Sequence, residues 1–233
     1  MKISPFEQMA EAYDSWFETE RGKSIFHLET DCILDLLEEA PRPWLEVGVG
    51  TGRFATALHV DVGVDSSPAV LRIAEQRGAS VKLGNAGALP CGNGQFGVVL
   101  MLMTLCFLEN PLGALQECHR VLRKDGYVIV GCIPGNSSWG EHYARKGAAG
   151  DPFYSQATFY TPRQVIDLAS HAGLVFCRAV SGLVESPGRT VGRYACPKDG
   201  IIRDAGFVAM LFEPGPEPGP EDGFCCDCGK DQA

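Results

Sequence analysis

A chain of 233 residues, 45% hydrophobic and 21% charged, has the length and composition of one α/β domain with a full core. Its formal charge of −9 argues against a nucleic-acid substrate, because an acidic protein gains nothing from counterion release, and no apolar run is long enough to span a bilayer. The opening stretch, 1–10, is polar and lacks the apolar segment of a signal peptide, so a cytoplasmic protein is expected.

Residues 4–20 place Phe6, Met9, Tyr13, Trp16 and Phe17 at helical spacing. Ser4 reads as the N-cap, Pro5 as the first helical position and Glu7 as the far partner of a capping box. Gly22 predicts a break, followed by a second helix over about 23–39. Its apolar stripe is Ile25, Leu28, Cys32, Leu36 and Leu37, and Pro41 and Pro43 end it. Residues 1–42 thus form an N-terminal helical cap. Tyr13 and Trp16 either cover a ligand or pack in the core, and packing is the simpler reading for Trp16.

Residues 43–58 read P-W-L-E-V-G-V-G-T-G-R-F-A-T-A-L. A short apolar strand runs into Gly48, Gly50 and Gly52, and a helix follows. Strand, glycine turn and helix form the first half of a nucleotide-binding βαβ unit, whose glycines let the backbone turn tightly against a ligand. A dinucleotide loop would need its third glycine where Arg53 stands, and a phosphate-cradling loop would need Gly-Lys-Ser or Gly-Lys-Thr. Residues 59–65 alternate valines into a second strand that ends on Asp65. An acid at that point, about 20 residues beyond Glu46, can accept both ribose hydroxyls of an adenosyl group. Ser66, Ser67 and Pro68 open the next helix, with Ser67 as its cap.

A third strand covers 79–83, and a strongly apolar fourth covers 96–103. A helix over 112–122, the turn Lys124-Asp125-Gly126 and a fifth strand over 127–133 follow. Residues 134–160 are polar, glycine-rich and aromatic, and leave the carboxyl end of the fifth strand, where open α/β sheets bind ligands. They are the candidate substrate lid, carrying Trp139, Glu141, His142, Tyr143, Arg145 and Tyr154, although an ordinary surface loop fits the composition as well. Thr161, Pro162 and Gln164 predict a capping box on a last helix. Residues 174–184 and 206–212 predict an antiparallel strand pair.

The run E-x-G-x-G-x-G from Glu46 resembles the first motif of the class I S-adenosylmethionine-dependent methyltransferases. G-N-A-G-A-L-P, the F-G-V-V-L of the fourth strand and H-R-V-L-R-K-D-G-Y-V-I-V resemble that family's later segments in order, over about 40–133. The nearest likeness is to the small-molecule group that includes quinone-biosynthesis methyltransferases. The resemblance implies a Rossmann-like, mostly parallel sheet with helices on both faces and a closing antiparallel pair, in a domain spanning 43–212. It implies S-adenosyl-L-methionine as cofactor, held by Tyr13, Glu46, Gly48, Gly50, Gly52, Asp65, Ser66, Asn85, Ala86 and Met101, and methyl transfer to a small-molecule acceptor. Three positions depart from the family pattern: Asn85 for Asp, Gly97 for Asp, and Cys106-Phe107 for a His-His pair. No base is named by the motifs, and His142 and Tyr143 are candidates by lid position alone.

Two other readings remain open. One is a binding protein that holds adenosyl ligands or a thiophilic metal without turnover. The other concerns the tail, where a Pro/Gly linker within 213–233 carries Cys225, Cys226 and Cys228. Thiolates suit copper(I), zinc or a trivalent metalloid, and three of them, with Cys196 as a possible fourth ligand, could hold such an ion or present arsenite for methylation. A free, occasionally oxidised tail is the simpler alternative.

Overall fold

The computed structural model describes residues 4–189 and 195–215. The linker beyond 215 and the three tail cysteines lie outside the described residues.

Five parallel strands form one side of the sheet, with β3 at its edge: β1 (Trp44–Val47), β2 (Val62–Asp65), β3 (Val81–Leu83), β4 (Phe96–Leu102) and β5 (Leu122–Cys132). Three more strands extend it: β6 (Leu174–Gly182), the short β7 (Lys198–Asp199) and β8 (Phe207–Pro214). The order is β3-β2-β1-β4-β5-β8-β6-β7, with β8 antiparallel to both β5 and β6. The chain reverses its strand order after β3, stepping across β1 to place β4 on its other side. This is the switch point at which α/β sheets bind ligands.

Strand β4 shows how the two faces are packed. All seven residues are buried, and alternate side chains go to opposite layers. Val99 and Met101 join Leu45, Val47, Val128 and Val130 under helices α6 (Pro111–Val121) and α8 (Pro162–His171). Val98, Leu100 and Leu102 join Trp44 and Ile129 under helix α3 (Glu20–Leu34). Unbroken apolar strands of this kind require cover on both faces, and both have it.

Several local expectations agree with the structure. Ser67 caps helix α5 (Pro68–Gln76), and Thr161 with Gln164 forms a full capping box on α8. Others do not. The single first helix is two short ones, α1 (Pro5–Gln8) and α2 (Ala10–Trp16), broken at Met9 (φ −130°, ψ 30°). Gly22 does not break a helix. It lies buried in the first turn of α3, where an added Cβ would strike the Trp16 carbonyl. Glu7 does not fold back on Ser4. Its carboxylate accepts hydrogen bonds from the Ser67 hydroxyl (2.6 Å) and the Ala69 amide (3.0 Å), so α1 caps α5 instead. Within 134–160 the chain forms helix α7 (Ser138–Ala148) and a single 3-10 turn (Tyr154–Gln156), not an open loop.

Candidate active site

The carboxyl ends of β1, β2 and β4 open into a cavity of about 590 Å³, roofed by α2, α3, α7 and the stretch after α7. That volume lies within the usual range for small-ligand sites.

At one end is the glycine loop. Helix α4 (Arg53–Ala57) follows it, with Gly52 at the N-cap. Gly50 has φ +53°, and a Cβ built there would meet no atom within 4 Å. The residue borders open cavity, so a side chain would occupy ligand space. Gly52 serves another purpose. At φ +76° it packs against Ala74 and Ala79, does not line the cavity and brings the loop against α5. Gly52, expected at the ligand, stands in the structure at this packing contact. Gly48 lines the cavity and lies against the Thr104 side chain.

Asp65, at the end of β2, accepts hydrogen bonds from the Gly50 amide (3.0 Å) and the Ser67 amide (2.9 Å). Burial pushes its carboxyl upward, and the backbone amides of Ser67, Gly50 and Ser66 oppose that push. The carboxylate keeps lone-pair capacity for a ligand hydroxyl. Glu46 is 1% exposed and lines the cavity, and its Oε2 has no hydrogen-bond partner. Burial and the nearby Asp65 raise its carboxyl well above the ordinary range, with the Ala55 amide opposing them. An orphaned buried oxygen on a residue that lines the cavity fits a ligand that brings a donor, such as an amino-acid ammonium. Ser66, Asn85 and Ala86 also line this end, and the Asn85 carboxamide oxygen accepts the Gly87 amide at 2.8 Å. Met101 does not line the cavity. Strand alternation turns it into the core under α6 and α8, while Leu102, Met103 and Thr104 reach the site.

The cap is tied to this loop by charge. Asp14 in α2 accepts from the Thr51 hydroxyl (2.7 Å), from Arg53 Nε (2.8 Å) and from Arg77 Nη2 (2.8 Å). Desolvation pushes the Asp14 carboxyl up, but these hydrogen bonds outweigh it and hold it at about 2. Arg53 is thus more than the residue that excludes a dinucleotide loop.

The other end is aromatic. Tyr13 meets Phe6 (5.3 Å) and Phe153 (5.8 Å), and Phe6 meets Phe107 (4.9 Å), which follows β4. Tyr143 of α7 meets Tyr154 (4.5 Å). Rings from four separate stretches therefore close one wall. Trp139 is an anchor: 1% exposed, it donates its indole N–H to the Glu185 carbonyl at 2.6 Å. Trp16 is 38% exposed at the rim, so the expected core packing is not found. His142 lines the cavity, and burial with nearby Lys146, Arg145 and Arg21 lowers its pKa, which favours the neutral ring. Tyr143 also lines it, but burial raises its phenol, which keeps its proton at neutral pH. Cys106 lines the cavity as a thiol, pushed up to about 12 by burial.

Sequence reading missed Glu29, which is 3% exposed within α3 and lines the aromatic end. Burial pushes its carboxyl up to about 8. The only signal was one acid inside the apolar face of a helix. Among the described residues no cluster of three or more His, Cys, Asp or Glu side chains could hold a metal ion, and no helix is long and apolar enough to cross a membrane.

Comparison with known proteins adds the family. A family model described as a methyltransferase domain matches residues 45–130. An uncharacterised Mycobacterium tuberculosis protein is 36% identical over 201 residues, which cover 86% of this chain and 70% of that one. A ubiquinone biosynthesis O-methyltransferase of Cereibacter sphaeroides is 25% identical, covering 74% of this chain and 81% of its own. Among solved structures, a S-adenosylmethionine-dependent methyltransferase of Thermotoga maritima, described as a possible histamine N-methyltransferase, is 33% identical with a TM-score of 0.82. The likeness covers 89% of this chain and 97% of that one.

Proposed function

The chain belongs to the S-adenosylmethionine-dependent methyltransferase family, and we propose that it transfers a methyl group to a small-molecule acceptor bound at the aromatic end of the cavity. The family's cofactor, S-adenosyl-L-methionine, supplies a methyl group already activated on a sulfonium sulfur. The observation that carries the reading is one cavity with two chemically different ends. Glu46, Gly50 and Asp65 meet the needs of an adenosyl amino acid: an unpartnered acceptor, open backbone and a carboxylate with free lone pairs. The rings at the far end suit an apolar acceptor.

In this reading Asp65 would accept the ribose hydroxyls, Glu46 the ammonium, and Gly48 and Gly50 would let the chain approach the amino-acid end. Ser66, Asn85 and Ala86 would border the base, and the Asn85 carboxamide oxygen can accept from an amino group without a charge. Phe6, Tyr13, Phe107 and Phe153 would exclude water from the transfer site and hold the acceptor for in-line approach. His142, neutral at physiological pH, would take a proton from an acceptor that must lose one. Tyr143 would donate a hydrogen bond rather than act as base.

The test is to incubate the protein with methyl-labelled S-adenosylmethionine and phenols, quinols, amines, thiols and arsenite. Label is expected in a small molecule with stoichiometric S-adenosylhomocysteine. Tight cofactor binding with no label in any acceptor would instead indicate a binding protein.

A further inference from the structure

We propose that Glu29 makes the acceptor end of the cavity a receptor for a basic nitrogen, so that the acceptor is an amine with an apolar or aromatic body. The proposal rests on the methyl-transfer reading and specifies its acceptor.

Three observations carry it. Glu29 is almost wholly buried, yet it faces the cavity. It occupies the same helical face as Ile25, one turn earlier, which lines the cavity too. Among the described residues its carboxyl has no hydrogen-bond or ion-pair partner. A buried carboxyl without a partner is costly, and a ligand that supplies the missing donor and charge recovers that cost.

The cavity's own cations are engaged elsewhere. Lys146 lies 3.6 Å from Asp151 and stands over the Tyr154 and Tyr143 rings. Arg21 lies over the Trp139 ring at 5.3 Å, and Arg53 is held by Asp14 and Glu18. The other cavity carboxylates have their own surroundings: Asp65 and Glu46 at the glycine loop, Asp151 beside Lys146. Glu29 raises the Tyr13 and Tyr143 hydroxyls, and all three residues line the same cavity, so the carboxyl shares it with rings of the cap and of α7. An acid beside aromatic faces is suited to a cationic head with an apolar body.

The same carboxyl prepares the nitrogen. An ammonium has no lone pair and cannot accept a methyl group. Burial sets the Glu29 carboxyl at about 8, so the free group carries its proton at neutral pH, and a bound ammonium, which favours the ionised carboxylate, releases that proton to solvent. Ahead of methyl transfer, one proton passes from R–NH3⁺ to the carboxylate so formed, giving R–NH2 and the carboxylic acid, and no electrons are exchanged. A phenol or alcohol would gain only a neutral hydrogen bond at this position.

The test is calorimetric and needs no turnover. The full chain, loaded with S-adenosylhomocysteine, is titrated with benzylamine, phenethylamine and spermidine, and with benzyl alcohol and 2-phenylethanol as uncharged counterparts. At least one arylalkylamine should bind ten-fold or more tightly than its alcohol. Glu29→Gln should erase that preference while S-adenosylhomocysteine affinity stays the same. Equal binding of amine and alcohol, no binding of any amine, or an unchanged preference in Glu29→Gln would overturn the proposal. The wild-type ratio alone decides the matter if the variant folds poorly. Amine preference without label transfer would strike the methyl-transfer reading and leave the amine receptor standing.

Discussion

The two ends of the cavity are assembled in different ways. The glycine-loop end comes from three short stretches, 46–53, 64–67 and 84–86, each at the carboxyl end of a neighbouring strand. Its working groups are mostly backbone amides and a strand-end acid, which strand pairing places. The aromatic end gathers side chains from α2, α3, the turn after β4, α7 and residues 151–159. Nothing in the sheet register fixes them, and they meet only because helices pack across one another. A common scaffold can therefore keep the first end while the second changes with the acceptor.

The sharpest way to break this contrast is at Gly50. Gly50→Val should lower S-adenosylhomocysteine affinity by roughly 100-fold or more, because the side chain enters open cavity and resists φ +53°. Circular dichroism should remain native, since no protein atom is struck. Retained calorimetric affinity would remove the loop from the site.

The latch between cap and loop comes next. Asp14→Ala leaves Arg53 and Arg77 facing each other with Thr51 unpaired, and should cost about 2–4 kcal/mol in urea unfolding. Asp14 also sets an acid limit. Its folded pKa, about 2, lies below the ordinary 3.8, so its stabilisation is present above pH 4 and is lost as pH falls through 2. A wild-type and Asp14→Asn pair whose stability difference is flat from pH 5 to pH 2 would contradict the latch.

A smaller loss is expected at Asp65. Asp65→Ala should weaken S-adenosylhomocysteine by about 1–3 kcal/mol through lost charge-assisted hydrogen bonds, with part of the effect arising from the freed Gly50 amide. Unchanged affinity by calorimetry would displace the ribose from this acid.

The mildest effect belongs to the aromatic end and has the opposite sign. The folded carboxyl of Glu29, near 8, lies above its ordinary 4.5, so the group destabilises the fold as pH rises from 4.5 and levels off above 8. Glu29→Gln should therefore raise stability by about 1–2 kcal/mol at pH 8, where the cavity's openness reduces the full burial penalty, and by little at pH 4.5. Thermal unfolding of both proteins at the two pH values reads this directly, and an equal difference at both would show that Glu29 is not held protonated.

What the sequence disclosed follows the same division. The caps at Ser67 and Thr161, and the cavity positions of Glu46, Gly50 and Asp65, were legible because each depends on neighbours within a few positions. Met101 was misplaced by one step of strand alternation, which decides whether a residue faces core or cavity. Glu7 suggested a local capping box, yet it caps a helix 60 positions away, a pairing no local pattern encodes. Helix α7 was hidden by its glycines and polar residues. It forms because Ser137 caps it and Trp139 docks on the Glu185 carbonyl. Glu29 was passed over as one acid in an amphipathic stripe, and only the packed cavity shows that it has no partner.

The central claim is one cavity with a cofactor end at the glycine loop and an acceptor end at the rings. A crystal structure with S-adenosylhomocysteine bound tests it most directly. The account predicts ribose hydroxyls on the Asp65 carboxylate, the ligand's amino group at Glu46, and its sulfur turned toward the space bordered by Tyr13 and Glu29. A ligand bound outside the cavity, or lying with its adenine among the rings and its amino acid away from Glu46, would contradict it.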